Sequence, residues 1–231
     1  MQAINHVATA LILKRKFPST PLLGLIVATE AVEYLWVGLN VIGVEKTFIA
    51  EPMRSVADVH LLHMPFSHSL ASSLFFALLV GGIILWRGGG RKTAGVLALA
   101  MSLALFSHIV LDLFTHAPDI AVAPFVDGKK YGSGLYSNWP LVALALETLW
   151  GVVCWRVYRG SKMLLWLILF LGVASVPIYS ATINIGESML GGQETVFALV
   201  ILGQMIASSV LLWLFAREKP EPVVNTGTQI A

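Results

Sequence analysis

Long apolar runs separated by short polar turns make up most of the chain. Runs near residues 20–43, 69–86, 93–115, 139–157, 163–183 and 194–216 approach or exceed the roughly 20 residues that cross about 30 Å of hydrocarbon. They predict an all-α, polytopic membrane helix bundle of about six transmembrane helices. Ahead of them, Ala3 to Leu13 is apolar but too short to span. Lys14, Arg15 and Lys16 follow that run, whereas a secretory signal carries its positive charge in front. Pro18 and Pro21 then break the chain, so the start reads as a half-membrane helix descending to a basic turn. The segment from Arg217 to Ala231 is polar and contains proline, and is expected to be a disordered cytoplasmic tail. No linker divides the runs, so residues 1–216 are expected to form a single integral membrane domain.

Composition agrees with this pattern. The chain is 57% hydrophobic and 12% charged, with a mean hydropathy of +0.79, far from soluble averages. Its net charge of +2 gives no reason to expect a nucleic-acid partner, and the bilayer is the expected one. The lone Cys154 rules out an intrachain disulfide. Placing Lys14 to Lys16 in the cytoplasm puts Arg87, Arg91, Lys92, Arg156, Arg159, Lys162, Arg217 and Lys219 there too. Only Lys46, Arg54, Lys129 and Lys130 are left outside, as the positive-inside rule favours.

The polar residues that interrupt the apolar pattern carry the chemistry. All six histidines, His6, His60, His63, His68, His108 and His116, fall in the first half of the chain, interleaved with Glu30, Glu33, Asp112 and Asp119. Ionisable groups at membrane depth are costly and mark functional sites. Imidazole with carboxylate suits zinc and its neighbours. At about 1.5 Å rise per residue, His6, Glu30, Glu33, His68, His108, Asp112 and His116 all fall in the outer half of the bilayer. That placement predicts one site open to the external side.

Within FSHIVLDLFTHAPD (106–119), His108, Asp112 and His116 recur every four residues and share a helix face. Pro118 should end that helix near His116, leaving Asp119 in the adjoining turn. In HLLHMPFSHSL (60–70), His63 and His68 flank Pro65, and Ser67 is placed to cap the next helix. His63 and His68 are the stronger ligand candidates there, and His60 the weaker. Glu30 and Glu33 lie three apart on one helix face and repel unless a cation or proton lies between them. Glu147, in the fourth run, is placed to support the site from behind, or simply to hold two helices together.

These motifs, taken in order, resemble the predicted membrane-bound metal-dependent hydrolases of bacteria, similar in motif style to the zinc-dependent phospholipase C superfamily. The matching positions are N-x-H at His6, the first-span acid at Glu33, H-x-P-x-S-H-S-L at His63 and His68, and S-H-x-x-x-D-x-x-x-H-x-P-D at His108, Asp112, His116 and Asp119. A later element, Gly134-Leu135-Tyr136-Ser137-Asn138, matches as well, although the first-span acid is Glu33 where Asp is expected and Ser137 precedes Asn138. The resemblance covers roughly residues 3–150 and implies an inner-membrane protein with its site facing the periplasm. It implies a divalent metal, zinc first, as one or two ions, with His6, Glu33, His63, His68, His108, Asp112 and His116 as ligands. Asp119 or Glu30 is then the general base, and Tyr136 and Asn138 contact the substrate. An outer-leaflet site suits an amphiphilic substrate, a phosphate-ester lipid first, with Lys129 and Lys130 near its headgroup. A proton- or cation-coupled transporter is the rival class, since such residues also line ion pathways. A non-enzymatic membrane protein with a structural metal is the third.

Overall fold

The computed structural model describes residues 3–126, 128–181 and 190–217. In chain order its helices are α1 (Ala3–Lys16), α2 (Leu22–Thr29), α3 (Ala31–Val41), α4 (Leu70–Gly88), α5 (Lys92–Leu113), α6 (Leu135–Asn138), α7 (Pro140–Tyr158), α8 (Lys162–Ala174), α9 (Val176–Tyr179) and α10 (Glu194–Ala216). Two strands, β1 (Lys46–Ile49) and β2 (Val59–His63), stand between α3 and α4.

α1 is the hub. Its 14 residues reach about 21 Å, too little to span, and it packs among α2, α5, α7 and α10. Ile4, Val7, Ala8 and Leu11 are fully covered, the fate of a helix that is apolar all round. They join Leu25, Ile26, Ala100, Ala104, Cys154, Leu164 and Leu212 in the main core. At the basic end, Lys14 Nζ donates to the carbonyls of Pro18 and Thr20 at 2.7 and 2.9 Å, which closes the turn into α2. Gly151 lets α7 approach α1 and α8. A Cβ there would lie 2.8 Å from Ile168 Cγ2 and 2.9 Å from Asn5 Oδ1.

Helices α4, α5, α7 and α10 are long and apolar enough to cross a membrane, and α2 with α3 makes a fifth span if the bent pair counts as one. Six spans were expected. The run at 163–183 falls short because α8 stops after 13 residues. Ser175 Oγ donates to the Leu171 carbonyl at 2.9 Å, and Pro177 opens α9, where it removes a helix donor. The run at 20–43 is bent by 45° at Glu30. Residues 218–231, the expected tail, lie outside the described residues.

The bundle is mostly helical rather than wholly so. β1 and β2 pair antiparallel with Thr47 opposite Leu61, Phe48 opposite His60 and Ile49 opposite Val59. β1 alternates exposed and buried positions, the period of a half-buried strand. Thr47 and Ile49 turn inward, so the hairpin packs over the C-terminal half of α3 and the N-terminal end of α10. Trp36, Ile49, Met53, Leu61 and Phe197 form a core there.

Candidate metal centre

Helix α5 supplies the centre of the site. His108 and Asp112 are fully buried one turn apart, with His108 Nε2 at 3.2 Å from Asp112 Oδ2. His68, just before α4, brings its Nε2 to 3.7 Å from the same oxygen. Glu33 of α3 closes this group, its Oε2 at 3.9 Å from His68 Nε2 and its Oε1 at 3.9 Å from His108 Nε2. On the other side of the carboxylate, Oδ1 faces His6 Nε2 of α1 at 3.2 Å and His116 Nε2 at 3.6 Å. Asp112 therefore stands between two sets of donors, one for each oxygen. The rings of His6 and His108 stack with centroids 3.9 Å apart.

The backbone and neighbouring side chains aim the imidazoles. The bend between α2 and α3 brings the Thr29 carbonyl to 2.9 Å from His108 Nδ1. A proton on Nδ1 donated there leaves Nε2 as the lone-pair nitrogen facing Asp112 and Glu33. His68 is held by a longer chain. Its Nδ1 lies 2.8 Å from Ser67 Oγ, and that hydroxyl donates to Glu45 Oε2. Glu45 Oε1 accepts the backbone N–H groups of Phe66 and Ser67, both at 2.8 Å. Burial lowers the His68 pKa, against the pull of Glu33 and Asp112, which keeps a lone pair available. Ser67 is thus occupied at the site, and the cap of α4 is Ser69.

His116 sits one turn beyond Asp112. α5 ends at Leu113, short of the His116 expected from Pro118, yet the His116 N–H still donates to the Asp112 carbonyl at 2.8 Å. The following loop folds back over this helix end. The N–H groups of Ser133, Gly134 and Tyr136 donate to the carbonyls of Leu113, His116 and Thr115, which pairs groups a helix end leaves open. Gly132 is required there, because a Cβ would lie 2.0 Å from the Ala117 carbonyl oxygen. The wrap carries Tyr136 to His116, with ring centroids 5.3 Å apart. Tyr136 and Tyr179 both donate to the buried Glu147, whose link to the site therefore runs through Tyr136. Burial first, then Glu147, pushes the Tyr136 hydroxyl well above its usual pKa, so it remains a donor.

The other expected residues divide. Asp119 Oδ1 lies 3.7 Å from His116 Nδ1, and its Oδ2 accepts the Leu61 N–H at 3.2 Å. Glu30 is fully buried at the bend, and neither of its carboxylate oxygens has a hydrogen-bond partner. Asn138 donates its amide to the Gly134 carbonyl at 3.0 Å. His63 is exposed at the end of β2, and among the described residues no ion pair ties it to the cluster. His60 stacks on Phe48 at 6.1 Å. Lys130 donates to the Leu62 carbonyl. Glu45, Thr29 and Tyr179 were not singled out from sequence, and Ser67 was expected only as a helix cap. The Ser-His dipeptide was visible, but Glu45 is 22 positions from Ser67 and nothing local marks it.

The donor set fits a metal. Side chains binding one tetrahedral zinc at about 2.0–2.1 Å stand about 3.3 Å apart. The spacings here run from 3.2 to 3.9 Å. His6 and His108 are fully buried, and each Nε2 lies 3.2 Å from an Asp112 oxygen, so imidazole and carboxylate donors converge where a cation would satisfy them together. Two overlapping groups, His6–His108–Asp112 and Glu33–His68–His108, each bring their donor atoms within 4.8 Å of one another. His6, Glu33, His68 and His116 of the cluster line a cavity of about 130 Å³ whose wall also includes Trp36, Leu61, Phe197, Ile201 and Met205.

The sequence profile of the YdjM inner membrane protein family matches residues 4–184, a stretch that contains every residue of the cluster. No curated protein and no solved structure matches the chain.

Proposed function

The chain belongs to the YdjM inner membrane protein family, and on that premise we propose that it is a metal-dependent membrane hydrolase acting on an amphiphilic substrate. The observation that carries the reading is Asp112, buried between two histidine sets of which His6, His68 and His116 line a mainly apolar cavity. His68, His108, Glu33 and Asp112 Oδ2 would hold one ion, zinc first. His6, His116 and Asp112 Oδ1 would hold a second. Ions of this kind supply Lewis-acid polarisation and acidify water.

The protein's own groups divide the remaining work. Thr29 and the Glu45–Ser67 pair hold His108 and His68 with their Nε2 atoms inward. Glu30, unpartnered on the cavity wall, takes the proton of the attacking water and is a better base than Asp119. Both Asp119 oxygens already have neighbours, and its role is to orient His116. Tyr136 meets the substrate with its ring on the cavity wall, and Glu147, which accepts its hydroxyl, positions it. Asn138 stabilises its own loop and reaches the substrate only if that loop opens. The distribution of basic residues orients the site toward the periplasm, so the substrate comes from the outer leaflet. A phosphate-ester lipid ranks first, because such a centre stabilises charge on a phosphoryl oxygen. Transport is less favoured. Leu11, Leu25, Ile26 and Ala104 are fully buried in the apolar core on the far side of the cluster, where an ion path would need polar groups.

The test is metal analysis and lipid hydrolysis on purified full-length protein, beside His108→Ala. Metal-dependent turnover of a phosphate-ester, amide or carboxylic-ester lipid, lost in the variant, is expected. A metal-replete preparation that hydrolyses none of them but moves cations into liposomes would overturn the reading.

A further inference from the structure

We propose that the apolar part of this cavity is a subsite for the first few carbons of one hydrocarbon chain of a membrane lipid, reached sideways from the bilayer between α9 and α10, a cavity of about 130 Å³ being of the size that takes a benzene-sized apolar group. This rests on the hydrolase reading for its purpose, since it names how the apolar end of the substrate is held, but its geometry stands without a metal.

The cavity is divided by chemistry. His6, Glu30, Glu33, His68, His116 and Tyr136 line part of it. The rest of the wall is built by Trp36 of α3, which meets His68 edge to face at 6.5 Å, by Leu61 of the hairpin, and by Phe197, Ile201 and Met205 of α10. The hairpin covers the cavity from the outer aqueous side, where Met53 and Leu61 are only 4% and 6% exposed. A substrate coming from water would have to pass this packed apolar roof.

The side wall differs. Ile178 of α9 and Val200 of α10 line the cavity and are also 40% and 47% exposed. They are the large apolar lining residues, among those described, that also belong to the outer surface. Their surroundings on α10 are Val196, Leu199 and Ile206, all exposed and apolar, as lipid-facing positions are. A route from the bilayer past Ile178 and Val200 therefore meets hydrocarbon on both sides. An alkyl chain gives up no hydration along it, because it leaves one apolar medium for another. A charged headgroup taking that route needs a polar terminus, which the cluster supplies. A lipid seated this way has its head among His6, Glu33, His68 and His116 and the first carbons of its chain against Met205.

Photo-crosslinking tests the subsite. Full-length protein is reconstituted in phosphatidylethanolamine–phosphatidylglycerol vesicles doped with phosphatidylcholine bearing a diazirine within the first few carbons below the ester of one chain. It is irradiated with and without prior chelator treatment, and adducts are mapped by peptide mass spectrometry. Met205 is fully buried, so an adduct there requires a chain inside the cavity. Adducts on Met205 as well as on lipid-facing Leu199 and Val210 are expected, retained after chelation. Val200→Trp, which fills the side wall, should abolish the Met205 adduct and leave that of Val210. Leu199→Trp, an equally large change on the lipid face, should leave both. Labelling confined to Leu199 and Val210, or a Met205 adduct indifferent to Val200→Trp, would overturn the subsite. Because chelated protein is tested in parallel, a failed hydrolase reading leaves this result standing, and lipid turnover without Met205 labelling rejects the subsite alone.

Discussion

Ser67 Oγ lies 2.8 Å from His68 Nδ1 and passes its own proton to Glu45, so a buried carboxylate fixes an imidazole through one hydroxyl. The hydroxyl has a single proton and spends it on Glu45. His68 must then donate from Nδ1, which leaves the Nε2 lone pair directed at Asp112 and Glu33. Ser67→Ala removes the relay and Glu45→Gln weakens it. Each should lower metal affinity by about 10–100-fold, the usual cost of losing such an outer partner, with Ser67→Thr restoring most of it. Competition against a chromophoric chelator reads the effect. Wild-type affinity in Ser67→Ala would show that His68 needs no such support.

The ligand set makes a sharper division. His68→Ala, His108→Ala and Asp112→Asn should each lose bound metal, and Asp112→Asn most of all, because it faces both donor sets. His60→Ala and His63→Ala should keep it. Elemental analysis of protein purified under one protocol decides this, and full metal retention in all of the first three variants would remove the centre.

The contrast between His63 and His108 explains what could be read from the chain alone. Spacing by four residues along one helix is a local property, so the shared face of His108, Asp112 and His116 was legible without any tertiary knowledge. The segments that became α4, α5, α7 and α10 were legible for the same reason, since their length and hydropathy are local. His63 was misleading. Its nearness to His68 suggested a pair, but His63 ends β2 exposed, where the register with β1 slips between Leu61 and His63, and a bulge of that kind re-aims a side chain in a way no local pattern reports. The bend at Glu30 was hidden too, because an apolar run does not report where its helix breaks. Glu45 is recognisable only once β1 and the turn before α4 are brought together.

Membrane orientation can be checked at the loop after Pro118. In a Cys154→Ser background, Lys129→Cys should react with an impermeant maleimide added from the periplasmic side and not from the cytoplasmic side. Lys129 is exposed, so access to the reagent is limited by the membrane alone. Labelling only from the cytoplasm would invert the topology and place the centre on the other side.

Gly151 gives the least local prediction. It lies on α7, away from the ligands, but its missing side chain is what lets α1 approach. Alanine there normally favours a helix by about 1 kcal/mol over glycine. Here the added Cβ would meet Ile168 Cγ2 at 2.8 Å and Asn5 Oδ1 at 2.9 Å, and the branched Ile168 has little freedom to rotate away. Overpacking of this kind costs about 1–3 kcal/mol, so the clash outweighs the propensity gain. The helix most easily displaced is α1, whose next residue after Asn5 is His6. Gly151→Ala should therefore lower Tm and selectively weaken the half of the centre that uses His6, leaving the half built from Glu33, His68 and His108. In metal titrations this reads as loss of one ion of two, whereas Asp112→Asn, which faces both donor sets, should disturb both. An unchanged Tm with full metal content in Gly151→Ala would mean that α1 is not held by this contact.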